Sequence, residues 1–182
     1  MKGQISLRLL FEAPVVAEIN VFDFDDTLVK TKSHIYLTTA AGESVALTPG
    51  EYAVYDPKPG DTFDYSDFEQ VKNPSPISHM LLKLRYAIRT LGNRNVFILT
   101  ARGAAEPIRM FLEEMGISDI DIVALGNSDP LAKAEVIKDE ILTRGVKLVK
   151  FYDDSFKNIA AVKALRYDED IPEDVQIISV RV

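Results

Sequence analysis

The chain has 182 residues, 47% hydrophobic and 27% charged, which is long enough for one domain to bury a core without staples. It contains no cysteine, so disulfides and thiolate metal sites are excluded. Lys and Arg total 21 against 28 Asp and Glu; the net charge of −7 argues against non-specific nucleic-acid binding, which needs clustered cations.

Residues 1–16 lack the basic start, apolar run and small-residue cleavage site of a signal peptide. No apolar run approaches the roughly 20 residues needed to cross a bilayer. A cytoplasmic protein with no membrane partner is therefore expected, with residues 5–11 forming an added edge strand. The first strong element is Ile19-Asn20-Val21-Phe22, which runs into Asp23. Residues 30–76 then break the pattern. Ile35-Tyr36-Leu37 and Val45-Ala46-Leu47, joined through Ala40-Ala41-Gly42-Glu43, read as a β-hairpin. A stretch rich in Pro, Asp and aromatics follows, with no convincing crossover helix. Tyr52, Tyr55, Phe63, Tyr65 and Phe68 in it are expected to pack this insertion onto the sheet, the alternative being a recognition surface.

Beyond residue 76, strand and helix alternate. Ile77, Leu81, Leu84, Ile88 and Leu91 form one helical stripe, and Val96-Phe97-Ile98-Leu99 a strand ending in Thr100. Ile108, Phe111, Leu112 and Met115 form a second stripe that Gly116 can stop. Ile122-Val123-Ala124-Leu125 is a strand; Leu131, Ala134, Ile137 and Ile141 make a third stripe, entered through the cap Asp129-Pro130. Leu148-Val149-Lys150-Phe151-Tyr152 leads to Asp153, Ser155 caps a helix carrying Ile159 and Val162, and a last strand spans Val175 to Val180. Nearly continuous apolar runs suit strands covered on both faces. The expected fold is α/β, a doubly wound, mostly parallel five-stranded sheet in a single domain over residues 1–182, with residues 30–76 a small hairpin and loop flap inserted after the first strand.

Ligands of open α/β sheets bind beyond the carboxyl ends of the strands. Three strands end there in chemically useful groups: Asp23-Phe24-Asp25-Asp26-Thr27, Thr100-Ala101-Arg102 and Asp153-Asp154. Carboxylates crowded at one edge repel, and a bound cation makes the arrangement stable. Oxygen donors without thiols or paired histidines favour Mg²⁺ over zinc. Phe24, between two aspartates, should face the core by strand alternation.

These residues resemble the four motifs of the haloacid dehalogenase superfamily, in order and over about residues 18 to 165. Asp23, Asp25 and Thr27 match the first motif, Thr100 the second, Lys133 the third with Lys138 as substitute, and Asp153-Asp154 the fourth, followed by Asn158. The resemblance implies a Mg²⁺-dependent phosphatase in which Asp23 is the nucleophile and Asp25 the general acid and base. Thr100 and Lys133 would hold the phosphoryl group. Asp23, Asp25 (through its carbonyl) and Asp153 or Asp154 would hold the metal. The chain is also similar to small phage-encoded members, which implies a nucleotide or polynucleotide-end phosphate as substrate.

Other readings stay open at this stage. A receiver domain also combines acidic residues, Thr and Lys, but its acidic pair follows the first strand. A metal- or phosphate-binding module without turnover is another. The carboxylates and Thr100 could be turn and helix caps, and Arg102 could meet phosphate or be an exposed loop residue. His34 and His79 read as surface or loop histidines. Lys83, Arg85, Arg89 and Arg94 read as a solvated helix face rather than a basic patch.

Overall fold

The computed structural model describes residues 17–182, so the strand expected at residues 5–11 lies outside the described residues. The fold is α/β, built on a five-stranded, wholly parallel sheet in the order β10-β9-β1-β7-β8. Its strands are β1 (Glu18–Phe22), β7 (Val96–Thr100), β8 (Asp121–Ala124), β9 (Leu148–Asp153) and β10 (Gln176–Arg181). β1 lies at the centre, with Phe22 opposite Ile98 on one side and Tyr152 on the other.

Alternation along β1 divides the core. Ile19 and Val21 face α4 (Pro130–Arg144) and α5 (Phe156–Ala164), where they pack with Phe97, Leu99, Ile137, Val149, Phe151 and Val162. Phe22 and Phe24 face α2 (Ser78–Leu91) and α3 (Glu106–Glu114), joining Leu84, Ile98, Ile108 and Leu112. Phe24 is completely buried, edge-on to Phe111 at 5.7 Å between ring centres. Each such side chain contributes roughly 1.5–3 kcal/mol by leaving water. β1 and β7 are buried almost throughout, whereas β8 and β10 are half-exposed because each has a strand on one side only. Among the described residues no helix is long and apolar enough to cross a membrane.

Helix ends follow the expected chemistry. Asp129 caps α4 by accepting from the Leu131 amide at 2.9 Å, and Ser155 caps α5 through the Asn158 amide. One stripe residue departs from expectation: Leu131 is 64% exposed. It lies in the first turn of α4, ahead of the buried Lys133 and Ala134.

The insertion is more ordered than a hairpin with a loop. β3 (Ile35–Thr38) pairs with β4 (Ser44–Leu47) as expected, but β5 (Thr62–Asp64) adds to the other side of β3. A six-residue helix, α1 (Pro49–Val54), opens with a capping box in which Thr48 and Glu51 satisfy each other's amides. The neck is a two-stranded ladder of β2 (Val29–Lys30) and β6 (Ser75–Pro76), which returns the chain to the core beside its point of departure. The aromatics do not pack onto the main sheet. Tyr52, Tyr55, Phe63 and Phe68 close a separate small core with Ile35, Leu37 and Leu47, while Tyr65 is exposed and meets the Tyr52 hydroxyl at 2.7 Å. The three-stranded sheet does not share the helix-covered core and buries one face on its own residues.

Asp67 holds this unit together. Its carboxylate is buried and accepts from the His34 amide at 3.1 Å, the Tyr36 hydroxyl at 3.3 Å and the Lys72 ammonium. The Lys72 contact holds the Asp67 carboxyl below the usual carboxylate range. A depressed acid contributes stability above its unfolded value, and that contribution is lost as pH falls through its folded one. Asp67→Ala is expected to cost about 1–3 kcal/mol by orphaning these donors. The loss should be confined to the insertion, read as faster amide exchange over residues 31–74. Unchanged exchange there would show that Asp67 carries no such role.

Candidate active site

The order of the strands reverses at β1. The chain proceeds from β1 outward to β7 and β8, then returns to β9 on the other side and moves out to β10. In open α/β sheets ligands bind at such a reversal, beyond the carboxyl ends of the strands. Asp23 follows β1 and Asp153 ends β9; the Asp23 amide donates to the Tyr152 carbonyl at 2.9 Å, fixing the two loops together.

Alternation puts Asp23 and Asp153 on the α4 side of the sheet, where Lys133 meets them. Helical side chains lean toward the helix N-terminus, so a lysine in the first turn of α4 reaches over the sheet edge. Lys133 Nζ lies 2.6 Å from Asp23 Oδ1 and 2.8 Å from Asp153 Oδ2, and all three residues are buried. Lys138 instead pairs with Asp168 and Asp170 on the surface. Asp153 also accepts from the Ser155 amide at 2.8 Å and from Asn158 Nδ2 at 3.0 and 3.1 Å, so α5 fixes its orientation. Asp154 is half-buried beside it.

Oxygens of Asp23, Asp153 and Asp154 all lie within 4.8 Å of one another. Three carboxylates against one ammonium leave the pocket with excess negative charge. The donor set is entirely hard oxygen, which suits a divalent cation of the Mg²⁺ or Ca²⁺ type. Burial above all, and then the Asp153 charge, push Asp23 up to about 8 against the opposing pull of Lys133. Burial, Asp153 and Asp26 push Asp154 up to about 6. Burial works against the Lys133 charge, but Asp23 and Asp153 outweigh it and hold the ammonium above its usual value.

A carboxyl with a raised folded value binds its proton more tightly folded than unfolded. Metal-free stability therefore declines as pH rises from the unfolded value, near 3.9, through the folded ones. In chelator, the thermal midpoint is expected to fall from about pH 4 to about pH 8, with Asp154 contributing up to about pH 6 and Asp23 up to about pH 8. Adding Mg²⁺ should raise it more at the higher pH, because there the carboxyls have no protons left to displace. An equal gain at both pH values would disprove this account of the pocket.

Asp25 is placed differently from the other acids. It is not in the three-carboxylate group: its Oδ2 accepts from Arg102 Nε at 2.7 Å and its Oδ1 from Arg102 Nη2 at 2.8 Å. Thr31 adds a hydroxyl to Oδ1 at 3.1 Å. The Asp25 carboxylate is therefore engaged by Arg102 and Thr31, apart from the three-carboxylate group. Arg102 is neither exposed nor a spare cation: it is buried, and its Nη1 donates to the Phe68 and Gln70 carbonyls of the insertion at 3.0 and 2.8 Å. Thr100, at the end of β7, is buried, and its hydroxyl accepts from the Arg102 amide at 3.2 Å. Gly126, at a φ of +60°, lets the loop after β8 close on this turn, its amide donating to the Arg102 carbonyl at 2.9 Å.

His34 faces Asp67 at 3.9 Å and His79 is exposed, both remote from the acidic group. Lys83 lies over the Tyr152 ring, Arg85 donates to the Met115 carbonyl, and Arg89 lies over Tyr86, so these cations serve local packing. The pairing of Asp25 with Arg102 is the site contact that sequence reasoning missed, whereas Asn158, singled out after the fourth motif, clamps Asp153. No family model, no curated protein and no solved structure matches the chain.

Proposed function

We propose that this chain is a Mg²⁺-dependent phosphomonoesterase with the doubly wound fold of the haloacid dehalogenase class, working through an aspartyl-phosphate. One observation carries the reading: Lys133, from the first turn of α4, bridges Asp23 and Asp153 at the reversal of strand order, beside a third carboxylate. A buried lysine between two aspartates that also compose a cation site is costly as mere structure, but it is what phosphoryl transfer requires: a nucleophile, a counter-charge and a metal seat in one crevice.

In this mechanism the Asp23 carboxylate forms a bond to phosphorus as the bond from phosphorus to the leaving oxygen breaks. Asp25 gives its proton to that oxygen. Asp25 then takes a proton from water as the water oxygen attacks phosphorus, and Asp23 departs as a free carboxylate. Lys133 offsets the Asp23 charge and, with Thr100, faces the transferring oxygens. Asp23, Asp153 and Asp154 would hold Mg²⁺ with the Asp25 carbonyl. When bound, the ion supplies positive charge against the phosphoryl group. The insertion at the crevice is small, which favours an accessible phosphate on a nucleotide or a polynucleotide end. A chain without cysteine suits the reducing cytoplasm.

The test is phosphate release from p-nitrophenyl phosphate and a panel of nucleotides, with Mg²⁺ and with chelator. Metal-dependent release supports the reading. A stable phosphoenzyme without turnover would move the chain to a phosphoacceptor role. No release and no phosphoenzyme would overturn the assignment.

A further inference from the structure

Arg102 is the most heavily committed side chain near the site that the proposed reaction leaves unused. It has a guanidinium with five N–H donors, of which four bond inside the protein: two to the Asp25 carboxylate, one to the Phe68 carbonyl and one to the Gln70 carbonyl. The guanidinium lies between the rings of Phe24 and Phe68, its central carbon 5.4 and 4.9 Å from their centres. Little hydrogen-bonding capacity remains for a substrate phosphate. We propose that Arg102 is a positioning residue for proton transfer, which aims the Asp25 carboxylate at the leaving oxygen and ties that aim to the seating of the insertion. This rests on the phosphatase reading above.

The geometry explains how. An ionised carboxylate offers about four lone-pair sites. Arg102 takes one on each oxygen and Thr31 takes another on Oδ1, which leaves one direction, on Oδ2, open for a proton or a water. A fork contact fixes the carboxylate plane as well as its distance, which a point charge does not. Because Phe68 and Gln70 belong to the insertion, a flap displaced from the core would withdraw two of the anchors that hold Arg102 in place. The same pin therefore sets both the flap and the acid.

Leaving-group dependence tests this. An alkyl phosphate needs its leaving oxygen protonated, whereas p-nitrophenolate leaves as a stable anion. In Arg102→Gln and Arg102→Lys, kcat/KM for an alkyl phosphate such as a nucleoside monophosphate is expected to fall on the order of 100-fold, the size of a lost general acid. The loss on p-nitrophenyl phosphate should stay below about tenfold. Combining Asp25→Asn with Arg102→Gln should add nothing further on the alkyl ester. Each comparison uses two substrates on one sample, so the ratio does not depend on how much of the variant is folded; Arg102→Lys carries the test if the Gln variant is insoluble. Equal losses on both esters would overturn the proposal and make Arg102 a structural pin or a phosphate contact. If wild type hydrolyses neither ester with Mg²⁺, the phosphatase reading itself fails, and this inference with it.

Discussion

Asp23→Asn is expected to reduce Mg²⁺-dependent phosphate release on the order of 10⁴-fold or more, the scale on which removal of a nucleophile is felt. That corresponds to about 5.5 kcal/mol of transition-state stabilisation. The substitution keeps size and shape, so a loss of fold is not the expected cause. Lys133 retains Asp153 as a partner. Since burial already holds Asp23 well above the ordinary carboxylate range, a neutral amide suits the metal-free pocket at least as well as the carboxylate does at neutral pH. The variant should therefore melt no lower than wild type in chelator at about pH 8, while gaining less from added Mg²⁺. Intact melting with lost turnover isolates chemistry from stability. Residual activity within about tenfold of wild type would remove Asp23 as the nucleophile, because amides do not form a stable bond to phosphorus under these conditions.

Much of the frame behind that expectation was readable in the chain itself. The five apolar runs became β1, β7, β8, β9 and β10 because strands covered on both faces must be apolar continuously. Asp129-Pro130 and Ser155 marked helix starts because a cap is a local transaction between a side chain and amides two or three residues away. Lys133 and Lys138 were both open as the lysine of the site, and position along the helix decides between them. Five residues separate them, about 7.5 Å of rise, and only Lys133 is level with the sheet edge. The insertion was less legible. β5 has three residues and pairs with β3 from more than twenty positions away, so it carries no periodic signal of its own. Thr48-Pro49-Gly50-Glu51 did hold a capping box, but six residues make too short a helix to show a stripe. The pairing of Asp25 with Arg102 spans 77 positions and follows from the parallel neighbours β1 and β7, so no local pattern could announce it. Leu131 shows the reverse failure: its spacing fits the stripe, yet in the first turn of α4 it stays exposed.

Lys133, in that same first turn, is a position where truncation should be costly to the fold. Lys133→Met preserves the stem but removes the ammonium, leaving the buried Asp23 and Asp153 carboxylates facing each other without a counter-charge. Breaking a buried pair from one side costs about 3–5 kcal/mol, because the partner charge is left desolvated. For a chain of this length that amounts to a fall in thermal midpoint on the order of 10 °C in chelator. The loss should depend on pH with a definite sign. Without Lys133 the Asp23 carboxyl holds its proton more tightly still, so the variant is penalised least in mild acid, where Asp23 is protonated, and more as pH rises past about 8, where wild-type Asp23 gives up its proton. Mg²⁺ should restore part of the stability, since a cation among Asp23, Asp153 and Asp154 supplies the charge that the lysine supplied. Lys138→Met is the control: its partners are solvent-facing, and surface pairs of this kind contribute little to melting. Equal midpoints for the two variants would mean that the ammonium at Lys133 does not neutralise the crevice. Both the cation site and the phosphoryl-transfer reading would then lose their electrostatic basis.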